Sequence, residues 1–539
     1  MKRKNSTSTG NQGILSFASI KSFDRLKRKA ACRCGNPKGR QVGWGESVAA
    51  IASICCLLLV QAAGYGIETN QDSSSRPNVV VLVADDLGYG ELGCQGNSEI
   101  PTPAIDSIAR RGIRFTQGYV SASYCSPSRA GFFSGRYQTR FGHELNPVGD
   151  HNLEPKAGMP PEIETIAERF QRAGYSTGLF GKWHLGAAPE CHPLEQGFDE
   201  FYGFLHEGHY FVPPPYKGQL SFLRRKELPN GERGRQRDGN VILSTHLPYD
   251  EPDYDRNNPI LRGKSEIVEP VYFTDALTRE ARDFVGRHKD SPFFMCLSYS
   301  AVHSPMQAPL ETLEKYENIQ DEHRRVFAGM VHHLDKSVGE ILDQLEQLEL
   351  LDNTIVLFFS DNGGPTRELT SSNQPLRGEK GSMYEGGIRV PMMVQWPRRW
   401  NQPQEYHAPV IALDWATTLA SAAGLKNETT PSEEPNDGVD LLPFLDGESA
   451  ESPHDVLYWR MGRKAAIRLG DWKAVATSPR LVVDCKEGEL KWELYDLSVD
   501  LREAEDVAAQ EPEILEALVQ RFHEESESMV APAWRPRKR

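Results

Sequence analysis

The chain has 539 residues, 39% of them hydrophobic and 25% charged, with 46 Gly and 36 Pro, which excludes a collagen-like, coiled-coil or wholly disordered protein; no repeat at a solenoid period stands out. The net charge is −14, but residues 1–46 carry 11 Lys and Arg against two acids, so residues 67–539 hold −23. A body that acidic speaks against nucleic acid as a partner, while a local basic pocket can still hold an anionic substrate.

The basic start leads into an uncharged apolar run, 47–60, and then into small residues up to Gly66. This is the layout of a secretory leader over residues 1–66, and it predicts export. An N-terminal membrane anchor is the alternative, although about 14 apolar residues is short for a span. No later segment is long and apolar enough to cross a bilayer, so no stable membrane span is expected after leader removal. Of the nine Cys, Cys32, Cys34, Cys55 and Cys56 fall in the leader. Cys94, Cys125, Cys191, Cys296 and Cys485 are too widely spaced for a disulfide framework or zinc-type pairing.

Residues 78–84 form a short Val-rich run, the pattern of a strand buried on both faces, and end in Asp85-Asp86-Leu-Gly-Tyr-Gly90. A helix is predicted over 162–174 and a strand over 293–299. Phe327, Val331, Leu334, Val338, Ile341 and Leu345 recur at spacings of four and three, which predicts a helix over 323–348. Residues 353–360 repeat the buried-strand pattern and end in Asp361-Asn362-Gly-Gly364; a further strand is expected over 390–396. Residues 211–270, rich in charge and proline and without periodicity, read as a long insertion that either shapes a substrate cleft or forms a plain surface loop. The polar stretch 426–438 marks a boundary. Beyond it lie strand patterns at 456–459, 465–469, 472–476 and 492–497, a helix at 512–525, and a basic tail expected to fray. The fold class is therefore α/β. A large, mostly parallel central sheet flanked by helices occupies 77–425, and a small α+β domain with an antiparallel sheet occupies 426–539.

Ligands of such sheets sit outside the carboxyl ends of the strands, where Asp85-Asp86 and Asp361-Asn362 both fall. Together they offer hard oxygen donors that suit Ca²⁺ or Mg²⁺ better than zinc. Taken singly, each dipeptide is more often a cap or turn. Cys125 precedes a helix start, where the helix dipole lowers a thiol pKa, and Arg129 lies one turn further on the same side. An isolated Cys there also reads as a buried, inert residue.

Cys125-Ser-Pro-Ser-Arg129 matches the C-x-P-S/A-R signature of the type I, formylglycine-dependent sulfatases. Around it stand Asp85-Asp86, Gly181-Lys182-Trp-His184-Leu-Gly186, His303-Ser304-Pro305 and Asp361-Asn362-Gly-Gly364. Leu376-Arg-Gly-Glu-Lys380-Gly-Ser-Met-Tyr384-Glu385-Gly-Gly-Ile-Arg389-Val-Pro391 and Trp492-Glu-Leu-Tyr495-Asp496-Leu497 complete the set. Over roughly 77–510 the chain resembles this arylsulfatase-like family of the alkaline phosphatase superfamily. Glu379 stands where many relatives carry a small residue.

The resemblance implies that a maturation enzyme oxidises Cys125 to formylglycine. The hydrated aldehyde would offer one hydroxyl to attack sulfur and a second whose deprotonation expels sulfate. It implies Asp85, Asp86, Asp361, Asn362 and modified Cys125 as ligands of Ca²⁺, with Mg²⁺ as the alternative. It implies that Arg129 and Lys182 orient the diol and that His184 takes its proton. His303 and Lys380, together with Lys182 on the substrate side, would bind sulfate and assist the leaving oxygen. His206 and His209, in Leu205-His-Glu-Gly-His-Tyr210, lack the i, i+4 spacing of a zinc helix. They are read as lining the substrate side, with a loop role as the alternative.

The expected function is thus an exported sulfuric ester hydrolase acting on a sulfated carbohydrate or aryl sulfate. One alternative is a formylglycine-dependent phosphonate monoester hydrolase or phosphodiesterase, which would use the same nucleophile and metal. The other is a non-catalytic sulfated-glycan binding protein, which would tolerate loss of Cys125 or the metal ligands; all are intact here.

Overall fold

The Val-rich run forms the strand Asn78–Ala84, buried along its whole length. Val80, Leu82 and Ala84 pack into one hydrophobic cluster, and Val79, Val81 and Val83 into another on the opposite face. A strand with two apolar faces has to be covered on both. In the computed structural model, which describes residues 76–425, 436–486 and 488–535, it lies at the centre of the sheet. Phe293–Ser298 runs parallel on one side and Thr354–Ser360 on the other. Ser176–Lys182 and then Glu200–Phe204 continue the parallel part. Antiparallel strands flank it, Met392–Gln395 beside Thr354–Ser360 and Ile260–Arg262 beside Glu200–Phe204. The sheet is therefore mixed, ten-stranded among the described residues, and parallel at its centre. The leader read over residues 1–66, most of the polar stretch at 426–438 and the end of the basic tail lie outside the described residues.

Helices Pro103–Arg110, Phe273–Arg287 and Glu322–Gln347 cover one face. Cys125–Ser134, Ile166–Arg172 and Asp414–Ala422 cover the other. The long helix starts where Asp321 accepts hydrogen bonds from the backbone N–H groups of His323 and Arg324, and its stripe from Phe327 to Leu345 is buried. The helix expected over 162–174 is shorter, because Thr165 and Glu168 form a capping box that sets its first turn at Ile166.

The insertion carries regular strands that its lack of periodicity did not reveal. Gln219–Arg224, Val241–Ser244 and Arg235–Asp238 join Met306–Pro309 in a second sheet, and Ile260–Arg262 with Ser265–Ile267 extends the edge of the main one. Near the end of the chain, Val456–Met461, Lys464–Leu469, Trp472–Thr477 and Lys491–Asp496 form a four-stranded antiparallel sheet. The helix Pro512–Ser526 packs on it through Leu518 and Phe522. No helix among the described residues is long and apolar enough to cross a membrane.

Candidate active site

Two neighbouring parallel strands deliver the carboxylates. Asn78–Ala84 ends at Asp85 and Asp86, Thr354–Ser360 at Asp361 and Asn362, and all four side chains are fully buried. Asp86 takes a left-handed φ of 65°, a conformation Asp and Asn tolerate better than most residues. Its backbone N–H donates to Asp361 Oδ1 at 3.3 Å, and Asn362 Nδ2 donates to Asp86 Oδ1 at 2.7 Å, so the two strand ends are tied together. The turn after Asn362 requires glycine: a Cβ at Gly363 would lie 1.8 Å from the backbone oxygen of Gly386.

Cys125 opens its helix at 1% exposure, with Sγ 3.5 Å from Asp85 Oδ1. One donor atom each from Asp85, Asp86, Cys125 and Asp361 lie within 4.8 Å of one another. Three buried carboxylates at that spacing repel strongly, and three cations answer them. Lys182 Nζ is 2.6 Å from Asp85 Oδ2, and Lys380 Nζ is 2.8 and 2.9 Å from the two oxygens of Asp86. Arg129 reaches Asp361 Oδ2 through Nε at 2.9 Å and Nη2 at 2.8 Å, while its Nη1 donates to Ser298 Oγ and the Lys182 carbonyl.

The balance is uneven. Burial raises the Asp86 carboxyl, but Lys380 and His303 outweigh it and hold the pKa at about 2. Burial and then Asp85 push Asp361 up to about 6 despite Arg129. The Cys125 thiol is also pushed up, because burial outweighs Lys182 and Lys380. This reverses the lowering expected from the helix start: at 1% exposure, desolvation of the thiolate dominates.

The residues fit a hard divalent cation. Asn362 Oδ1 is buried without a hydrogen-bond partner among the described residues, and buried amide oxygens almost always have one. Beside three converging carboxylates it completes an oxygen donor set of the kind Ca²⁺ and Mg²⁺ take and zinc does not favour. The spacing agrees, since donors at about 2.3–2.6 Å from Ca²⁺ lie no more than about 5 Å apart.

His303 sits on the turn after Phe293–Ser298. Its Nδ1 is 2.6 Å from the carbonyl of Ser304 and its Nε2 3.7 Å from Asp86 Oδ2. A carbonyl only accepts, so Nδ1 carries the hydrogen and Nε2 faces the carboxylates. His184, fully buried with a φ of 56°, donates Nε2–H to the Pro147 carbonyl at 2.9 Å, and its Nδ1 has no hydrogen-bond partner. Burial, then Lys182, push its pKa well below the ordinary value, so it stays neutral.

His206 and His209 are buried but have other neighbours. His209 bonds the Tyr210 carbonyl through Nδ1, approaches Asp255 Oδ1 at 3.3 Å through Nε2, and packs on Phe204 and Phe273. The backbone N–H of His206 donates to Asn258 Oδ1, and its Nε2 has no hydrogen-bond partner. Sequence reasoning missed Arg224, Tyr254 and Glu368, which bond Ser304 beside His303. Leu223-Arg-Arg-Lys226 reads as solvated charge; only the burial of Arg224 separates it from its neighbours.

A family model described as Sulfatase matches residues 77–425, and one described as N-sulphoglucosamine sulphohydrolase, C-terminal, matches 378–530. Steryl-sulfatase of Homo sapiens is 32% identical over 435 residues, covering 72% of this chain and 73% of that protein. N-acetylgalactosamine-6-O-sulfatase of Bacteroides thetaiotaomicron is 29% identical, covering 83% and 93%. The crystal structure of Ps i-CgsB in complex with k-i-k-neocarrahexaose superposes with a TM-score of 0.72 at 32% identity, covering 85% and 94%. The first model spans the carboxylate cluster and the second the C-terminal sheet. The chain belongs to the sulfatase family and is a sulfuric ester hydrolase.

Proposed function

We propose that this sulfatase is exported, holds Ca²⁺, carries a formylglycine made from Cys125, and acts on sulfate esters of carbohydrates. The observation that supports the site is the convergence of three buried carboxylates and the unpartnered Asn362 oxygen on Cys125, inside a ring of Lys182, Arg129, Lys380 and His303. Export rests on the leader pattern of residues 1–66. A carbohydrate substrate rests on likeness to an N-acetylgalactosamine-6-O-sulfatase and to Ps i-CgsB, crystallised with neocarrahexaose.

When present, the cation and the aldehyde hydrate supply charge neutralisation at the sulfate oxygens and an attacking hydroxyl. The remaining tasks fall to the chain's own side chains. Asp85, Asp86, Asp361, Asn362 and residue 125 hold the cation. Arg129, braced on Asp361, and Lys182, braced on Asp85, keep residue 125 in one orientation. Lys380 binds sulfate oxygens from the Asp86 side, and His303, when it carries a proton on Nε2 as well as on Nδ1, donates the Nε2 proton to the leaving oxygen. His184, neutral and with Nδ1 unpartnered, takes the proton when sulfate departs.

Two measurements test this together. The peptide containing residue 125 should weigh about 18 Da less than its thiol form. The purified protein should hydrolyse 4-nitrophenyl sulfate in preference to 4-nitrophenyl phenylphosphonate. An unmodified thiol in fully active protein, or preference for the phosphonate, would overturn the reading.

A further inference from the structure

The insertion at 211–270 builds a second buried network behind His303. We infer that Arg224, at the end of the strand Gln219–Arg224, is a positioning residue for His303 and acts through Ser304. The inference rests on the sulfatase reading of His303 given above.

Arg224 is 5% exposed although Arg225 and Lys226 beside it reach the surface. Its guanidinium joins two carboxylates. Nε lies 3.1 Å from Glu251 Oε2, and Nη1 lies 2.6 Å from Glu368 Oε1. Nη2 donates to Tyr254 OH at 3.0 Å and to Ser304 Oγ at 3.3 Å. Ser304 Oγ in turn donates to Glu368 Oε1 at 2.8 Å and lies 2.9 Å from Tyr254 OH. Arg224, Glu368 and Tyr254 thus converge on one hydroxyl. With its donors spent on Glu251, Glu368, Tyr254 and Ser304, Arg224 is a clamp and not a substrate anchor.

The clamp has an object. His303 and Ser304 lie between the strands Phe293–Ser298 and Met306–Pro309, where no sheet ladder fixes the backbone. The imidazole is held instead by the Ser304 carbonyl at 2.6 Å and by the Tyr254 ring, whose centroid lies 6.4 Å away at 81°. Gly208 closes the remaining side: a Cβ there would lie 2.9 Å from the Tyr254 ring and 3.3 Å from His303 Nδ1. Met306–Pro309 also pairs antiparallel with Gln219–Arg224, so the insertion holds the far end of the turn through the backbone. An imidazole acting on a leaving oxygen has to stay within a fraction of an ångström of its working position. Of the insertion's side chains, Arg224 and Tyr254 reach Ser304, and Arg224 bonds Tyr254 as well.

The test uses 4-nitrophenyl sulfate, whose leaving group departs with little help, and 4-methoxyphenyl sulfate, whose leaving group needs it. In Arg224→Gln and in Ser304→Ala, kcat for the methoxyphenyl ester should fall about ten-fold or more. For the nitrophenyl ester it should fall about three-fold at most, with KM little changed for both. Equal losses on the two esters, or none, would make Arg224 merely structural and overturn the inference. If Arg224→Gln does not fold, Ser304→Ala, which removes a single hydroxyl, decides the comparison alone. A mature wild type that cleaves no sulfate ester would overturn the sulfatase reading and the inference with it. An active wild type with parallel losses overturns the inference only.

Discussion

Asp361 serves two partners at once. One oxygen receives Arg129, while the other accepts the backbone N–H of Asp86 and belongs to the carboxylate cluster. Asp361→Ala should therefore remove a cation ligand and leave the buried Arg129 charge without its partner. The expected outcome is joint loss of bound calcium, by elemental analysis, and of aryl sulfate hydrolysis by about 100-fold or more; unchanged metal content would break the ligand assignment. Cys125→Ala should differ in kind. It should abolish turnover while thermal unfolding stays close to wild type, because among the described residues Sγ makes a single long polar contact, to Asp85. At this scale Asp85, Asp86, Asp361, Asn362 and Cys125 were legible because each follows a strand or opens a helix that the sequence marks, whereas Lys182 and Lys380 stand out only through the motifs around them. His184 and His303 were legible as members of a motif, but their tautomers follow from the carbonyls of Pro147 and Ser304, which no spacing reveals.

Elements differ in how plainly the sequence announces them, for physical reasons. Asn78–Ala84 and Thr354–Ser360 are buried on both faces and so read as unbroken apolar runs. The helix Ile166–Arg172 carried its own start signal, Thr165-Ile-Ala-Glu168, ahead of which the apolar period has no meaning. Arg235–Asp238 could not be read, being four residues long, largely exposed and mostly charged. The pairing of Asp414 with His454 was equally hidden, since the two are far apart in the chain. Asp414 opens its helix fully buried, accepts from the backbone N–H groups of Ile411 and Val439, and lies 2.8 Å from His454 Nε2. Burial lowers the pKa of His454, but the Asp414 carboxylate outweighs it and the net shift is upward. A folded-state pKa above the unfolded value stabilises fully below about 6.5, and the contribution is lost as pH rises through the raised folded value. Urea unfolding midpoints should thus fall from pH 6 upward in the wild type, and His454→Gln should show a flatter profile. Parallel profiles for the two proteins would exclude this pair as a source of the pH dependence.

Across the whole molecule, the C-terminal sheet is joined to the catalytic part by buried polar bonds as well as by apolar packing. Trp459 donates its indole N–H to the Val120 carbonyl at 2.8 Å, and Arg460 meets Glu144 at 2.9 Å. Lys464 bonds the carbonyl of Gly381, next to Lys380. A further joint is Lys473, fully buried, at 2.8 Å from Glu385 and 2.9 Å from Glu503. Burial raises the Glu385 carboxyl, but Lys473 and Arg389 outweigh it and hold the pKa at about 2. Burial drives Glu503 up to about 7, with Glu385 adding to the rise and Lys473 opposing it. One ammonium thus keeps two buried carboxylates together, and Glu385 begins the short helix Glu385–Ile388 that follows the Lys380 turn. Replacing that ammonium with a hydrocarbon of similar length leaves, among the described residues, Glu503 without a cation partner and Glu385 with Arg389 alone, 3.2 Å away. Lys473→Met should lower the unfolding free energy by about 3–5 kcal/mol. Adding Glu503→Gln should recover part of the loss, because the amide oxygen can still accept the Glu385 backbone N–H while the repulsion disappears. Urea unfolding at pH 7 of the wild type, the single variant and the double variant measures both effects, and aryl sulfate turnover should follow the folded fraction. A loss under about 1 kcal/mol for Lys473→Met, or no recovery in the double variant, would show that the apolar packing around Trp459 carries the joint without the triad.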